Sequence, residues 1–259
     1  MPGFDAIFVG SGINSLAGAA LLAKDGWRVC VLERNDWLGG AIRTVDGLTA
    51  PGFTHEVFSS WHPLWTGSPA YAELKSDLDR LGLEYLNTDL PTGVAFPDGS
   101  SAFLSTDGAA NAAALGPEWQ TQFDEFMAAA DVAFGVLGTE LWSTGGLSLG
   151  RKAYKQFGRR GLVELAGHSL LSARDWLTGT FEREQVHGLL APWVLHTGLG
   201  PDEAMSGFMT QVIACALQLG GMPVPKGGGV KLVDGLAAIV REAGGELRTE
   251  AEVERILVS

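Results

Sequence analysis

The chain has 259 residues, of which 46% are hydrophobic and 19% charged, with a formal net charge of −12. That length buries a large core in one or two domains, and that balance excludes a disordered chain. The acidic excess repels polyphosphate and anionic surfaces, which argues against nucleic acid and against a polybasic membrane anchor. The sequence contains no uninterrupted apolar run of about 18 residues, so no integral membrane segment is expected. The N-terminus lacks the cationic and apolar regions of a signal peptide. Cys30 and Cys215 have neither disulfide nor metal spacing and sit in apolar runs. They read as reduced, buried thiols of a cytoplasmic protein.

Ala6 to Val9 is an apolar run that suits one buried parallel strand. Gly10-Ser11-Gly12-Ile13-Asn14-Ser15 follows at once. Gly10 permits a tight turn, and Gly12 lets backbone approach a pyrophosphate where a Cβ would collide. Ser15 replaces the third glycine of G-x-G-x-x-G, a change that a small side chain tolerates. Asn14 and Ser15 add side-chain donors near the phosphates. Ile13 to Lys24 reads as a helix with a small-residue face, ended by Gly26. Val29 to Leu32 is the second strand, with Glu33 at its tip, 21 residues after Gly12. A ribose-binding acid is expected about 20 residues beyond the glycine turn. An acid there repels a 2′-phosphate and so disfavours NADP. Strand, turn, helix, second strand and acid together predict a bound dinucleotide, against the alternative of an unliganded βαβ unit.

After Glu33 come Arg34, then Gly39-Gly40-Ala41, Arg43 and Thr44. With this segment the chain resembles the FAD-binding proteins of the glutathione-reductase-like superfamily, in the branch of amine oxidases and phytoene desaturases. The resemblance implies that Glu33, Arg34, Gly39, Gly40 and Thr44 lie beside the ribose and pyrophosphate. Many members carry Arg after the second glycine, where this chain has Ala41, with Arg43 two residues on. The chain is most similar to phytoene-dehydrogenase-like proteins, over Pro51–Pro63, Pro225–Leu236 and Gly244–Leu257. The first of these implies an approach to the flavin ring. The last implies a strand returning to the FAD domain, with the Val253 backbone at the adenine.

Further along, Tyr71 to Leu81 predicts a helix with Leu74, Leu78 and Leu81 on one face. Glu84 to Ser105 predicts strands about a Pro97–Ser100 turn, and Thr106 to Gln218 is mainly helical. The expected fold is α/β. A discontinuous Rossmann-like FAD-binding domain over 1–69 and 223–259 carries an inserted, largely helical α+β substrate domain over 70–222. Arg151, Lys152, Lys155, Arg159 and Arg160 form a cationic run, read first as a solvated helix face and second as a contact for an acidic substrate or partner. The eight tryptophans read mostly as core.

No metal-binding spacing occurs among the histidines. His55, Glu56, Trp61 and His62 precede the expected flavin approach and are the candidates for catalysis, weighed against packing or capping roles. Flavin-linked dehydrogenation needs no protein dyad when the ring accepts the hydride. The resemblance implies an FAD-dependent oxidoreductase, a desaturase, dehydrogenase or oxidase, taking hydride from a largely apolar organic substrate. It also implies a further, C-terminal half of the flavin fold, expected on a second polypeptide of a split or nicked enzyme. The competing readings are a binding protein that uses the fold without flavin chemistry, as Rab GDP-dissociation inhibitors do, and a subunit that holds only the adenine end.

Overall fold

A computed structural model describes residues 3–257 of the chain. The first segment comprises β1 (Ala6–Val9), α1 (Ile13–Lys24), β2 (Val29–Leu32), β3 (Thr44–Asp46), β4 (Thr54–Glu56), α2 (Pro63–Thr66), α3 (Pro69–Arg80) and β5 (Tyr85–Leu86). An inserted segment follows, with β6 (Thr92–Ala95), β7 (Ser101–Leu104), α4 (Gly108–Leu115), α5 (Pro117–Gly138), α6 (Thr144–Ser169), α7 (Ala173–Thr180), α8 (Glu184–Leu190), a 3₁₀ helix over Ala191–Thr197 and α9 (Ser206–Gly220). The chain then returns through β8 (Val224–Pro225), α10 (Val230–Glu242) and β9 (Glu246–Arg248).

These elements form two compact units. One runs to Asn87 and resumes at Pro223; the other spans Thr88–Met222. The first division comes later than the 69/70 boundary expected from sequence, for a packing reason. Leu74 and Leu78 of α3 are fully buried in the core that contains Leu16 and Ala20 of α1 and Leu232 and Leu236 of α10. Gly235 allows the close approach, because a Cβ there would stand 2.8 Å from Leu78 Cδ2. Helix α3 therefore completes the nucleotide-binding type of core instead of opening the inserted unit.

The first unit holds a parallel sheet of order β1-β2-β9, with Ala6 opposite Val29 and Cys30 opposite Glu246. Strand β2 is central, which explains its unbroken apolar run. Strand β1 is at the edge, and Ile7 and Val9 are 58% and 54% exposed. The returning strand is shorter than expected. It ends at Arg248, and Val253 lies beyond it in an irregular, half-buried stretch. The backbone there still reaches the tip of β2, since Glu250 N donates to Asn35 O and Ala251 N to Glu33 O.

In the second unit, β6 and β7 form a hairpin whose turn is held by Asp98 accepting from Ser100. Helix α9 is the buried element of this unit, and Gln218 Oε1 within it accepts from Asn111 Nδ2 at 2.6 Å and Trp119 Nε1 at 2.7 Å. Helix α6 is interrupted at Gly158, whose φ of +63° is outside the helical region. Among the described residues, no helix is long and apolar enough to cross a membrane.

Leu78→Ala removes a fully buried side chain from the α1–α3–α10 core, beside Gly235. It should cost about 2–5 kcal/mol, read as a lowered denaturation midpoint of the first unit.

Candidate nucleotide-binding site

The site is built on the turn from β1 into α1. Gly10 has φ +86°, a left-handed value that favours glycine. Gly12 caps α1 at φ −60° and ψ 164°, values open to any residue, and a Cβ on it would meet nothing within 4 Å. Neither strain nor packing inside the chain explains glycine at that position. Its open side faces a cavity of about 320 Å³ lined by Gly12, Ile13, Asn14, Ser15, Gly39 and Ala41. The first intrahelical bond of α1 is Leu16 N to Gly12 O at 3.0 Å, so the amides of residues 13–15 have no partner within the helix. No acidic side chain occupies its first turn. The arrangement is a cradle for an anion that needs close backbone approach.

The second glycine pair packs onto this turn. Gly39 and Gly12 form an isolated parallel bridge. Gly39 N donates to Ser11 O and Ser11 Oγ, both at 3.1 Å. A Cβ on Gly40 would lie 3.1 Å from Gly12 Cα, and one on Gly39 would lie 2.6 Å from Ile42 O. Both glycines also have positive φ. Their requirement is met within the chain, unlike that of Gly12.

Glu33 is buried at the tip of β2. Its Oε2 accepts from Ser11 N at 2.9 Å and Ser11 Oγ at 2.6 Å; its Oε1 accepts from Asn35 N at 2.9 Å and Asn35 Nδ2 at 2.7 Å. Burial pushes its carboxyl upward, but the bonds from Ser11 and Asn35 outweigh it and hold the group below its ordinary value. The acid is therefore ionised beside the cradle. Arg34 is exposed, and the Arg43 guanidinium stacks 3.8 Å over the Trp37 ring.

Thr44 and Glu56 are tied to each other and to the start of α10. They face each other across the β3–β4 pair, and Thr44 Oγ1 donates to Glu56 Oε1 at 2.6 Å. Glu56 Oε1 also accepts from Gly229 N at 2.9 Å, and Thr44 Oγ1 from Val230 N at 3.0 Å. Helix α10 has no side-chain cap of its own, so these two groups supply one. A Cβ on Gly228 would lie 2.5 Å from Thr44 Cγ2, and one on Gly229 would lie 2.9 Å from Glu56 Oε2. Glycines there are the condition for the cap.

The other catalytic candidates have separate partners within the chain. His55 is held by Thr49 Oγ1 at 2.8 Å beside the β3–β4 hairpin. Trp61 is half-buried. His62 is 6% exposed, with Nδ1 3.3 Å from Tyr85 Oη and Nε2 buried without a hydrogen-bond partner. It stands edge-on to Tyr85, which in turn contacts Tyr71. Burial holds its imidazole below the ordinary 6.5, against the raising effects of the Ser59 backbone and Glu56. The sequence pattern alone does not assign a role to Asn35 or to the Gly228-Gly229 pair. An amide side chain two residues after the strand-tip acid, and a glycine run opening a helix, are the signals that mark them.

Two expectations follow. Gly12→Val should leave the fold intact, because the added atoms enter open space, and should abolish FAD retention measured by flavin absorbance per chain. His62 binds its proton more weakly folded than unfolded, so the unfolded state takes up more protons as pH drops below about 6.5. Its contribution is absent above that value and destabilises progressively below it. Denaturation measured at pH 7.5 and below should therefore lose stability less steeply in His62→Leu.

Comparison with known proteins agrees with this geometry. The family model described as flavin containing amine oxidoreductase matches residues 16–259. A phytoene desaturase from Fusarium fujikuroi is 33% identical over 112 residues, 39% of this chain and 17% of the relative. One from Cercospora nicotianae is 25% identical over 269 residues, covering 98% of this chain and 40% of the relative. The solved structure of an oxidoreductase from Methanosarcina mazei shares the fold at TM-score 0.58 and 19% identity, over 98% of this chain and 53% of that one. The chain thus spans less than half the length of these curated relatives. A βαβ cradle with a strand-tip acid and a docked glycine pair, matched along nearly the whole sequence by one family model, places the chain in the flavin-containing amine oxidoreductase family, whose cofactor is FAD.

Proposed function

We propose that this chain forms the adenosine- and pyrophosphate-binding part of an FAD-dependent oxidoreductase that takes hydride from a largely apolar organic substrate. The observation that carries the reading is Gly12, whose missing Cβ opens the cradle at the α1 N-terminus for no reason internal to the chain. Gly10 through Ser15 would hold the pyrophosphate by backbone amides and Glu33 the ribose hydroxyls. Gly39, Gly40 and Ala41 would form the facing wall, and the Val253 region would lie toward the adenine. Bound FAD supplies the hydride acceptor. The chain's own part is to bind it, orient it and exclude water from its phosphates. The relatives named as phytoene desaturases favour dehydrogenation as the reaction class.

The fold also needs more wall than these residues supply. Strand β1 leaves one edge unpaired, with Ile7 and Val9 largely exposed, and an open apolar edge is one that native proteins cover. We assign that cover to further polypeptide of the flavin fold, supported by relatives of more than twice the matched length. The cysteines are free and buried, with burial pushing Cys215 up to about 12, which favours a reducing, cytoplasmic setting.

The test is purification with any native partner, followed by an absorbance spectrum and anaerobic addition of candidate polyenes and amines. A bound flavin bleached by substrate supports the reading. A colourless protein that stays colourless after FAD is added favours a binding role for the fold. Glu33→Ala should weaken FAD binding by about 1–3 kcal/mol, because Ser11 and Asn35 lose their acceptor and the ribose its partner; unchanged affinity counts against the ribose assignment.

A further inference from the structure

Helix α6 is two helical segments that meet at Gly158. The break has φ +63° and ψ −177°, a backbone region that belongs to glycine almost alone. The half before the break is anchored. Ala153 is buried, Lys152 Nζ pairs with Asp131 of α5 at 2.6 Å, and Gln156 Nε2 donates to Ala128 O at 2.7 Å. Leu149 fills the space beside Gly135, where a Cβ would meet its Cδ1 at 2.7 Å. The half after the break lacks such anchors. None of residues 158–167 is buried, and Val163 is 67% exposed. Among the described residues, the first side-chain hydrogen bond from this half to another element comes at His168, whose Nε2 lies 2.9 Å from Gln211 Nε2. Inside the stretch, Arg160 Nε and Glu164 Oε1 pair at 2.8 Å on the open surface, where an ion pair contributes little. Gly158, Gly161 and Gly167 each carry the entropy cost of glycine in a helix.

A stretch held this loosely opens without unfolding what surrounds it. Arg159 and Arg160 stand at its start, both exposed, with the Arg160 side chain at 93%. The second unit, residues 88–222, contains seven basic residues. Arg151, Lys152 and Lys155 lie in the anchored half of α6. Arg174 pairs with Asp202 at 2.5 Å and follows the buried Ala173. Arg183 Nη1 donates to Ala114 O at 2.7 Å, between the buried Phe181 and Val186. Arg159 and Arg160 alone combine a basic side chain with a backbone that can be drawn out.

We propose that Arg159-Arg160 is a cleavage site for an endopeptidase that cuts after arginine, and that the nick leaves the fold standing. The acidic pocket of such a protease takes one guanidinium, and the loosened segment supplies the extended backbone that pairs with the enzyme. Water adds across the peptide bond after Arg159 or Arg160. The arginine keeps the new carboxylate, and the following residue keeps the new ammonium. The pieces stay joined because the later one carries β9, paired with β2, and α10, whose Leu232 and Leu236 share a core with Leu16 and Leu74 of the earlier one. Every residue lining the cradle at the α1 N-terminus lies in the earlier piece.

Limiting amounts of trypsin test this on the full chain, with fragments read by intact mass. Within residues 88–222 the first cut should follow Arg159 or Arg160, at least about tenfold faster than after any other basic residue of that unit. A lysine-specific endopeptidase should leave the unit whole over the same period. Arg159→Gln with Arg160→Gln should remove the early trypsin cut. Without any protease, amide hydrogen exchange should be at least about tenfold faster over 162–167 than over 150–156. On size exclusion the two pieces should co-elute at the position of the uncut chain. A first cut in that unit at Arg151, Lys152, Lys155, Arg174 or Arg183 overturns the proposal. So does equal exchange in the two halves of α6, or pieces that separate.

Discussion

The first unit depends on one close approach, that of the Gly39-Gly40 backbone to the turn at Gly10–Gly12. A side chain at residue 40 would press on Gly12 Cα, and one at 39 on a carbonyl oxygen. Because the two backbones touch, Ser11 Oγ can accept from Gly39 N while donating to Glu33. A single buried hydroxyl thereby joins the turn, the acid and the second glycine pair. Removing bulk at the glycines is what lets these three segments share one wall.

The same logic repeats at the other end of the hairpin that follows. Gly228-Gly229 bring the start of α10 against Thr44 and Glu56, which cap it. Helix α10 then lies in the core with α1 and α3. The two regions of the sequence that carry the family resemblance, one early and one late, are thus the two sides of a continuous piece of packing.

Much of the nucleotide half is legible in the sequence because its signals are local. Ala6–Val9, Ile13–Lys24 and Val29–Leu32 fold as their apolar patterns dictate, and Gly26 ends α1 with φ +85°. What is not legible depends on partners remote in sequence. Nothing near Glu56 announces that its carboxylate caps a helix whose N-cap residue lies 173 residues later. Nothing near Leu74 says which unit will bury it. The resemblance over Gly244–Leu257 implies a longer strand than β9, whereas the backbone turns at Glu250, with φ +54°, to meet Asn35. The outer face of α6 can be sorted from its cationic run only once α5 shows which residues it covers.

Glu33 has a consequence for how the cofactor enters. A carboxylate offers about four acceptor positions, and this one already receives four hydrogen bonds from its own chain. Any ribose hydroxyl must share or replace one of them, and the replaceable ones are the side-chain donors Ser11 Oγ and Asn35 Nδ2. Recognition at this acid is therefore an exchange between similar bonds, with little net gain in their number. On the proposed assignment, affinity would come chiefly from a pyrophosphate in the cradle, with Glu33 a filter on the sugar that rejects a phosphorylated ribose more strongly than it rewards the correct one.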